Sequence, residues 1–209
     1  GFMKSKGLDS ENVYFKQVGK DEYIFGTIKQ EGIETSEVLK TILPEAVKAV
    51  TFPKAMRWGG KNMKFARPIR WMVTLLNDEV LEVNLEGIVS SNVTKGHRFL
   101  GEKEFTVNSL EDYYEKLEKN YVILDQNKRK ELIKNQCIEV ANSLGGEVEF
   151  DDDLLEEVTH LVEYPTAFYG EFDSAYANLP KEVVTTPMKE HQRYFPVVKD
   201  GKLLPNFIA

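Results

Sequence analysis

Apolar residues recur along this chain at two different periods, and the switches between them limit the fold class. Ile133, Cys137, Val140, Ala141 and Leu144 fall at helical intervals, so a single helix face carries them. Asp125 stands ahead of that run as an N-cap and Gly145 behind it in the C′ position. The same signals mark other helices. Ser36 is the expected N-cap of a helix to about Val50, with Val38, Leu39, Ile42, Val47 and Val50 on its apolar side and Pro44 expected to kink it or start a second turn. Ser109 with Asp112 resembles a capping box in which Asp replaces Glu, and a helix to about Asn120 should follow. Asp151-Asp152-Asp153 opens a helix whose dipole favours acids there, with Leu154, Leu155, Val158, Leu161 and Val162 as its buried side and Pro165 beyond it. Pro180 should begin a helix through Lys189.

Between these segments the period drops to two. Val13–Val18 and Tyr23–Gln30 read as a hairpin around Gly19-Lys20-Asp21-Glu22. Arg70–Leu76 reads as a strand, Asn77-Asp78 as a turn, and Glu79–Val89 as a partner strand by its alternation. Arg193–Val198 and Leu203–Ala209 bracket Lys199-Asp200-Gly201-Lys202, an Asp-Gly hairpin signal. Thr51–Ile69 and Thr94–Gly101 read as basic, glycine-punctuated loops. Helices and strands interleave without a strict βαβ rhythm. The fold class is therefore α+β, a mixed and largely antiparallel sheet with helices packed on it, which could form two subdomains. The expected division is an N-terminal hairpin region at 1–35 and a core region at 36–209, which could divide again near 105–150.

The 209 residues are 42% hydrophobic and 29% charged, too well mixed for disorder. No apolar stretch approaches the roughly 18 residues of a membrane span. Cys137 is the one cysteine, which excludes an internal disulfide and points to a reducing, cytoplasmic home. The ends carry no signal-peptide run and stop on a strand-like segment, so the chain reads as a piece of a longer protein. Its net charge is −7, unlike a simple nucleic-acid binder. The distribution is more informative. Between Lys54 and Arg70 lie six basic residues and no acid, whereas Glu147–Glu163 holds eight acids and no Lys or Arg.

Several chemistries have no support. Gly60-Lys61-Asn62 lacks the Ser or Thr after Lys, and Ala55 stands where a P-loop needs its first Gly. There is no GxSxG, no HExxH and no dinucleotide loop. His97, His160 and His191 lack ligand spacing. Cys137 on an apolar helix face reads as a small buried hydrophobe rather than a nucleophile. The acids at 151–153 fail the EF-hand spacing. No catalytic residue and no metal ligand is expected.

What remains is polar density beside aromatics in three segments: Met56-Arg57-Trp58-Gly59-Gly60 through Phe65-Ala66-Arg67-Pro68-Ile69-Arg70-Trp71, Thr94-Lys95-Gly96-His97-Arg98-Phe99, and Met188-Lys189-Glu190-His191-Gln192-Arg193-Tyr194-Phe195. Arg gives a rigid fork for phosphate, and an aromatic ring gives a stacking face for an unpaired base. The alternative is structural: an aromatic at the edge of the core with a cation snorkelling on its rim. The candidate RNA contacts are Arg57, Arg67, Arg70, Lys95, His97, Arg98, Lys189, His191, Gln192 and Arg193.

These runs, together with Leu155-Glu156-Glu157-Val158, Leu161-Val162-Glu163-Tyr164-Pro165, Leu179-Pro180, Gln192-Arg193-Tyr194-Phe195-Pro196-Val197 and Gly201-Lys202-Leu203-Leu204-Pro205-Asn206-Phe207, resemble the β subunit of the tetrameric bacterial glycyl-tRNA synthetase. The match runs in order from about Ser36 to Ala209. The resemblance implies an aminoacyl-tRNA synthetase of two α and two β chains, a cytoplasmic heterotetramer of protein biosynthesis that joins glycine to its tRNA using ATP and Mg²⁺ through a glycyl-adenylate. It implies that the α chain holds the adenylation site while β recognises and positions tRNA, and that an HD-type domain and an anticodon-binding domain follow in β. The present region is similar to modules of the phenylalanyl-tRNA synthetase β chain. Its implied partners are the α subunit and glycine tRNA, with no membrane. It should be catalytically silent alone and bind no cofactor itself. The implied role is tRNA binding and assembly, the alternative being a docking module for α without direct tRNA contact. A hydrolytic, editing-like pocket is a third possibility that rests on the phenylalanine-enzyme analogy alone.

Overall fold

The structure, a computed structural model, describes residues 2–29 and 31–209. Gly1 and Gln30, the expected end of the second strand, lie outside the described residues. The chain divides into two compact units, Gly1–Val50 and Thr51–Ala209.

The first unit holds α1 (Phe2–Lys6), a 3-10 turn at Ser10–Asn12, the hairpin β1 (Val13–Val18) and β2 (Asp21–Gly26), and α2 (Thr35–Ala49). Val18 pairs with Asp21, so Gly19-Lys20 alone makes the turn, with Gly19 at φ 70, a conformation only glycine adopts cheaply. Tyr14 and Phe25 stack across the strands at 6.1 Å. The helix start differs from expectation: Glu34 is the N-cap and makes no side-chain cap bond, so Ser36 lies inside the helix. The helix also runs on through Pro44. Pro44 leaves the Lys40 carbonyl without its intrahelical donor, a loss that water can make good on this exposed element.

The second unit opens with short ladders: β3 (Leu75–Leu76) with β4 (Glu79–Val80), β5 (Asn84–Leu85) with β6 (Ile88–Val89), and β7 (Val93–Thr94) with β8 (Phe105–Thr106), all antiparallel. Arg70–Leu76 is thus not a continuous strand. Only Leu75–Leu76 pairs as one, and Val73 adds a single parallel bridge to Ser91. Nor is Glu79–Val89 one strand. Glu86 at φ 49 and Gly87 at φ 88 turn the chain back on itself there, and two positive-φ residues in succession are what a type I′ hairpin requires. Thr94, expected in a loop, closes β7 instead.

The elements that follow carry the core. They are α3 (Leu110–Lys119), α4 (Gln126–Ser143), β9 (Glu147–Val148), α5 (Asp152–Leu161), β10 (Tyr169–Glu171), a 3-10 turn at Ser174–Asn178, α6 (Lys181–Pro187), a π-helical turn at Met188–Gln192, β11 (Phe195–Lys199) and β12 (Lys202–Ile208). The caps are chemical and local. Asp125 accepts from the N–H groups of Asn127 and Lys128, and Asp151 from that of Leu154. Ser109 accepts from Asp112 N, while the Asp112 carboxylate accepts from Asn108 N at 2.8 Å. Lys116 donates to Asp112 and, with the Asn108 N–H, holds that carboxyl below its ordinary range against the opposing effect of desolvation. At the far end of α4, Gly146 N donates to Ala141 O and Gly145 N to Asn142 O, with Gly145 at φ 72. That pair of bonds is a Schellman motif.

The strand order is β10-β12-β11-β9, antiparallel throughout. Asp200 (φ 49) and Gly201 (φ 76) make the β11–β12 turn. Ile133, Cys137 and Ala141 of α4 and Leu154 and Leu155 of α5 pack with Phe195 and Val197 of β11 and Ile208 of β12 into one buried cluster. The α4 face is the one the helical spacing predicts. Leu161 departs from expectation and is exposed, because α5 ends there and the chain turns extended at Val162. The expected helix through Lys189 ends at Pro187, and Arg193 precedes β11 rather than joining it. Among the described residues no helix is long and apolar enough to cross a membrane.

Burial pushes the Cys137 thiol up to about 11. At pH 8 it should not react with a thiol-exchange reagent until the chain unfolds. The folded value lies above the free-thiol value, so the thiol's share of stability is complete below about pH 8.5 and is lost as pH rises towards 11. Rapid labelling of the native chain at pH 8 would count against this packing.

Candidate nucleic-acid interface

The first basic segment forms a closed loop. Met56 and Phe65 exchange backbone hydrogen bonds, at 2.9 and 3.1 Å, and Gly59 and Gly60 both take positive φ at the turn. The loop is tied to the β5–β6 turn. The Glu86 carboxylate accepts from the N–H groups of Asn62 and Met63, and Lys61 Nζ donates to Glu86 O. Lys61 is therefore committed internally, whereas Arg57 donates to Asn62 O and stays exposed. Arg67 and Arg70 are exposed and make no ion pair among the described residues.

The structure brings the end of this segment against the second. Ser91 N donates to Met72 O and Thr74 N to Ser91 O, which sets residues 71–74 beside 91–94. Trp71 Nε1 donates to Thr94 Oγ1 at 3.3 Å. Lys95 Nζ lies 5.3 Å from the Trp71 ring centroid and 3.0 Å from Glu104 Oε1.

Residues Gly96–Gly101 form a braced knuckle. His97 N donates to Asn120 O, Gly96 N to Glu102 O and Gly101 N to His97 O. Asn120 Oδ1 accepts from Glu102 N at 2.7 Å. His97 Nδ1 accepts from the N–H groups of both Phe99 and Leu100, so in the neutral ring the proton sits on Nε2. His97 thus works as an internal cap. The bracing presents Arg98, which lies 5.6 Å from the Phe99 ring, and Phe99 itself, 83% exposed.

The third segment is built differently. Arg193 has φ 62 at the end of the π-turn, an uncommon conformation for a residue with a side chain. Its guanidinium lies 2.6 Å from Glu157 Oε1 and also donates to the carbonyls of Glu190 and Lys189. Lys189 Nζ is 3.5 Å from Asp151 Oδ2, and Lys181 Nζ 2.6 Å from Glu149 Oε1. The hydrogen bond from Leu154 N, aided by Lys189, keeps Asp151 below its ordinary pKa. The acidic run thus takes up the cations of this segment, while His191 and Gln192 stay exposed. Among the described residues no hydrogen bond, ion pair or ring contact joins this segment to the other two.

A concavity of about 630 Å³ lies where the first two segments meet, lined by Trp71, Val73, Leu75, Asn77, Thr94, Ser109, Leu110 and Tyr113. Burial, and the neighbouring Tyr114, raise the Tyr113 phenol above its ordinary value. Of these residues only Trp71 and Thr94 fall in the polar segments read from the sequence. The hollow depends on long-range pairing of 71–74 with 91–94, which no local pattern signals, and Ser109 is legible only as a cap. Among the described residues no cluster of His, Cys, Asp or Glu gathers as metal ligands.

Comparison with known proteins gives a family. The family model described as glycyl-tRNA synthetase beta subunit matches residues 1–209. The chain is 79% identical over 209 residues to the glycine–tRNA ligase beta subunit of Clostridioides difficile (strain 630), covering 100% of this chain and 30% of that protein. It is 46% identical over 210 residues to that of Moorella thermoacetica, again 100% of this chain and 30% of the relative. It is 44% identical over 213 residues to that of Bacillus subtilis (strain 168), 100% of this chain and 31% of the relative. The chain thus spans about 30% of the length of the curated relatives it matches.

Proposed function

The chain belongs to the glycyl-tRNA synthetase beta subunit family, and from that premise we propose that it contributes tRNA positioning and assembly to an ATP-dependent ligase joining glycine to its tRNA. In this reading it holds no catalytic residue, ATP and Mg²⁺ are used on the α chain, and the work is done in the cytoplasm. The observation that carries the tRNA contact is a difference in charge pairing. Arg57, Arg67, Arg70 and Arg98 lie exposed with no carboxylate partner among the described residues, and an unpaired guanidinium meets phosphate without first leaving an acid. Lys95 keeps half its exposure beside Glu104, and His97 holds the knuckle in shape. Lys189 and Arg193 would reach phosphate only by exchanging Asp151 and Glu157 for it, which leaves His191 and Gln192 as the free polar groups of that segment.

The test is a salt titration of glycine tRNA on the assembled full-length enzyme. Replacing Arg67 and Arg98 by Gln should flatten the log–log dependence of affinity on salt by roughly one unit per lost contact. Lys189→Gln and Arg193→Gln should change it less. An unchanged slope in the first pair sinks the phosphate contacts.

A second role has its own observation. The β1–β2 hairpin exposes Tyr14, Phe15, Tyr23 and Ile24, apolar area of the kind that seeks a protein partner. Retention of α by the chain with no shift of tRNA on a native gel would favour docking over RNA contact.

A further inference from the structure

We infer that the concavity beside Trp71 is a subsite for a single unpaired nucleobase, with the phosphate of the same nucleotide at Lys95. This rests on the RNA-contact reading above and adds to it a base-binding site. The argument is one of complementarity. None of the lining side chains carries a formal charge, so the hollow suits neither an anion nor a cation. A volume of about 630 Å³ falls within the usual range of small-ligand sites and exceeds what a lone base needs, leaving room for its ribose.

The walls are of two kinds. Trp71, Val73, Leu75, Leu110 and Tyr113 give an apolar and aromatic side. Trp71 is 40% exposed although its N–H is already satisfied by Thr94, so hydration of that N–H does not explain the exposure. An exposed indole with no polar task left is a stacking surface. The other wall is rich in donors. Thr94 Oγ1 accepts from Trp71 and Ser109 Oγ accepts from Asp112 N, and each hydroxyl keeps its proton for an outside acceptor. The Tyr113 hydroxyl has no hydrogen-bond partner among the described residues. Asn77 supplies the single side-chain carbonyl. A flat ring with several keto or ring-nitrogen acceptors and a donor edge matches this set, and that is a nucleobase. Lys95 stands over the Trp71 ring at the rim, where its ammonium would exchange the exposed Glu104 carboxylate, 3.0 Å away, for the anionic part of the nucleotide, which remains outside the uncharged hollow.

The test uses the full-length β chain assembled with α and a hexaribonucleotide carrying one central 2-aminopurine, whose fluorescence falls when it stacks on an aromatic ring. Saturable quenching is expected. Trp71→Leu should abolish the quench and weaken binding about tenfold. Tyr113→Phe removes only a hydroxyl that has no partner among the described residues, and it should weaken binding severalfold. Lys95→Gln should lower the salt dependence while the quench remains. Quenching that survives in Trp71→Leu overturns the subsite. So does an absence of quenching in an enzyme that still binds glycine tRNA with the arginine-dependent salt slope, and that outcome leaves the RNA-contact reading intact. Free AMP, CMP, GMP or UMP displacing the hexamer at equal concentration would overturn RNA as the source of the base.

Discussion

Phe195→Ala should lower the unfolding free energy by about 3–5 kcal/mol, the range for removing a fully packed aromatic ring. Phe195 is 3% exposed and meets the Phe150 ring edge-on at 5.7 Å. It sits where β11 meets the cluster of Ile133, Cys137, Leu154 and Leu155. Truncation would open a void among elements tied together on every side, since β11 is paired to β12 on one edge and β9 on the other. That leaves little freedom to collapse. Domains keep only about 5–15 kcal/mol in total, so this variant should stand near the edge of folding, with a thermal midpoint about 10 °C lower or more. The control is Phe99→Ala, which removes the same ring from solvent. It should leave the midpoint nearly unchanged and weaken tRNA binding. Equal midpoints for the two variants would show that the core is not where the structure places it.

The second large effect is expected at Gly101. A Cβ there would lie 2.5 Å from Asn120 O and 2.8 Å from His97 N, both backbone atoms. Neither can swing aside, and the hydrogen bond from His97 N to Asn120 O at 2.8 Å lies in the path of any shift. Gly→Ala ordinarily stabilises by about 0.4–1 kcal/mol through the unfolded chain where space allows. Here overpacking of about 1–3 kcal/mol should outweigh that gain. The knuckle should lift from Asn120, the His97 cap should lose its two N–H partners, and Arg98 should lose its fixed position. Gly101→Ala should therefore reproduce the tRNA defect of Arg98→Gln while leaving Arg98 in the sequence. Unfolding curves and tRNA titrations on the same preparation check both halves. Unaltered tRNA binding would mean that the bracing of residues 96–101 plays no part in recognition.

Much of the helical layer is legible in the sequence because its signals are local. Asp125, Ser109 and Asp151 cap the helices they precede, and Gly145 ends α4, since each acts within one turn of its own position. The Asp200-Gly201 hairpin is readable for the same reason. The failures share a cause as well. Glu86 and Arg193 adopt positive φ without being Gly or Asn, so nothing in their type announces a turn. What holds Glu86 is its carboxylate on Asn62 and Met63, and what holds Arg193 is Glu157, partners 23 to 36 residues away in sequence. The candidate site divides along the same line. The basic and aromatic residues are visible one by one. The acids that take up Lys189 and Arg193, and the hollow between Trp71 and Tyr113, depend on long-range placement.

Two corners border the β9–β11 side of the sheet, and they are made of different material. After α4 the chain turns on Gly145, with two backbone hydrogen bonds and no charge. Before β11 it turns on Arg193, whose backbone is held in the left-handed region by an ion pair and by carbonyls that its own guanidinium caps. Electrolyte weakens the second and leaves the first alone. The same ions that strip tRNA from a basic surface would thus loosen the turn that joins the exposed His191 and Gln192 to the sheet, so ionic strength acts on this module through its shape as well as through its charge.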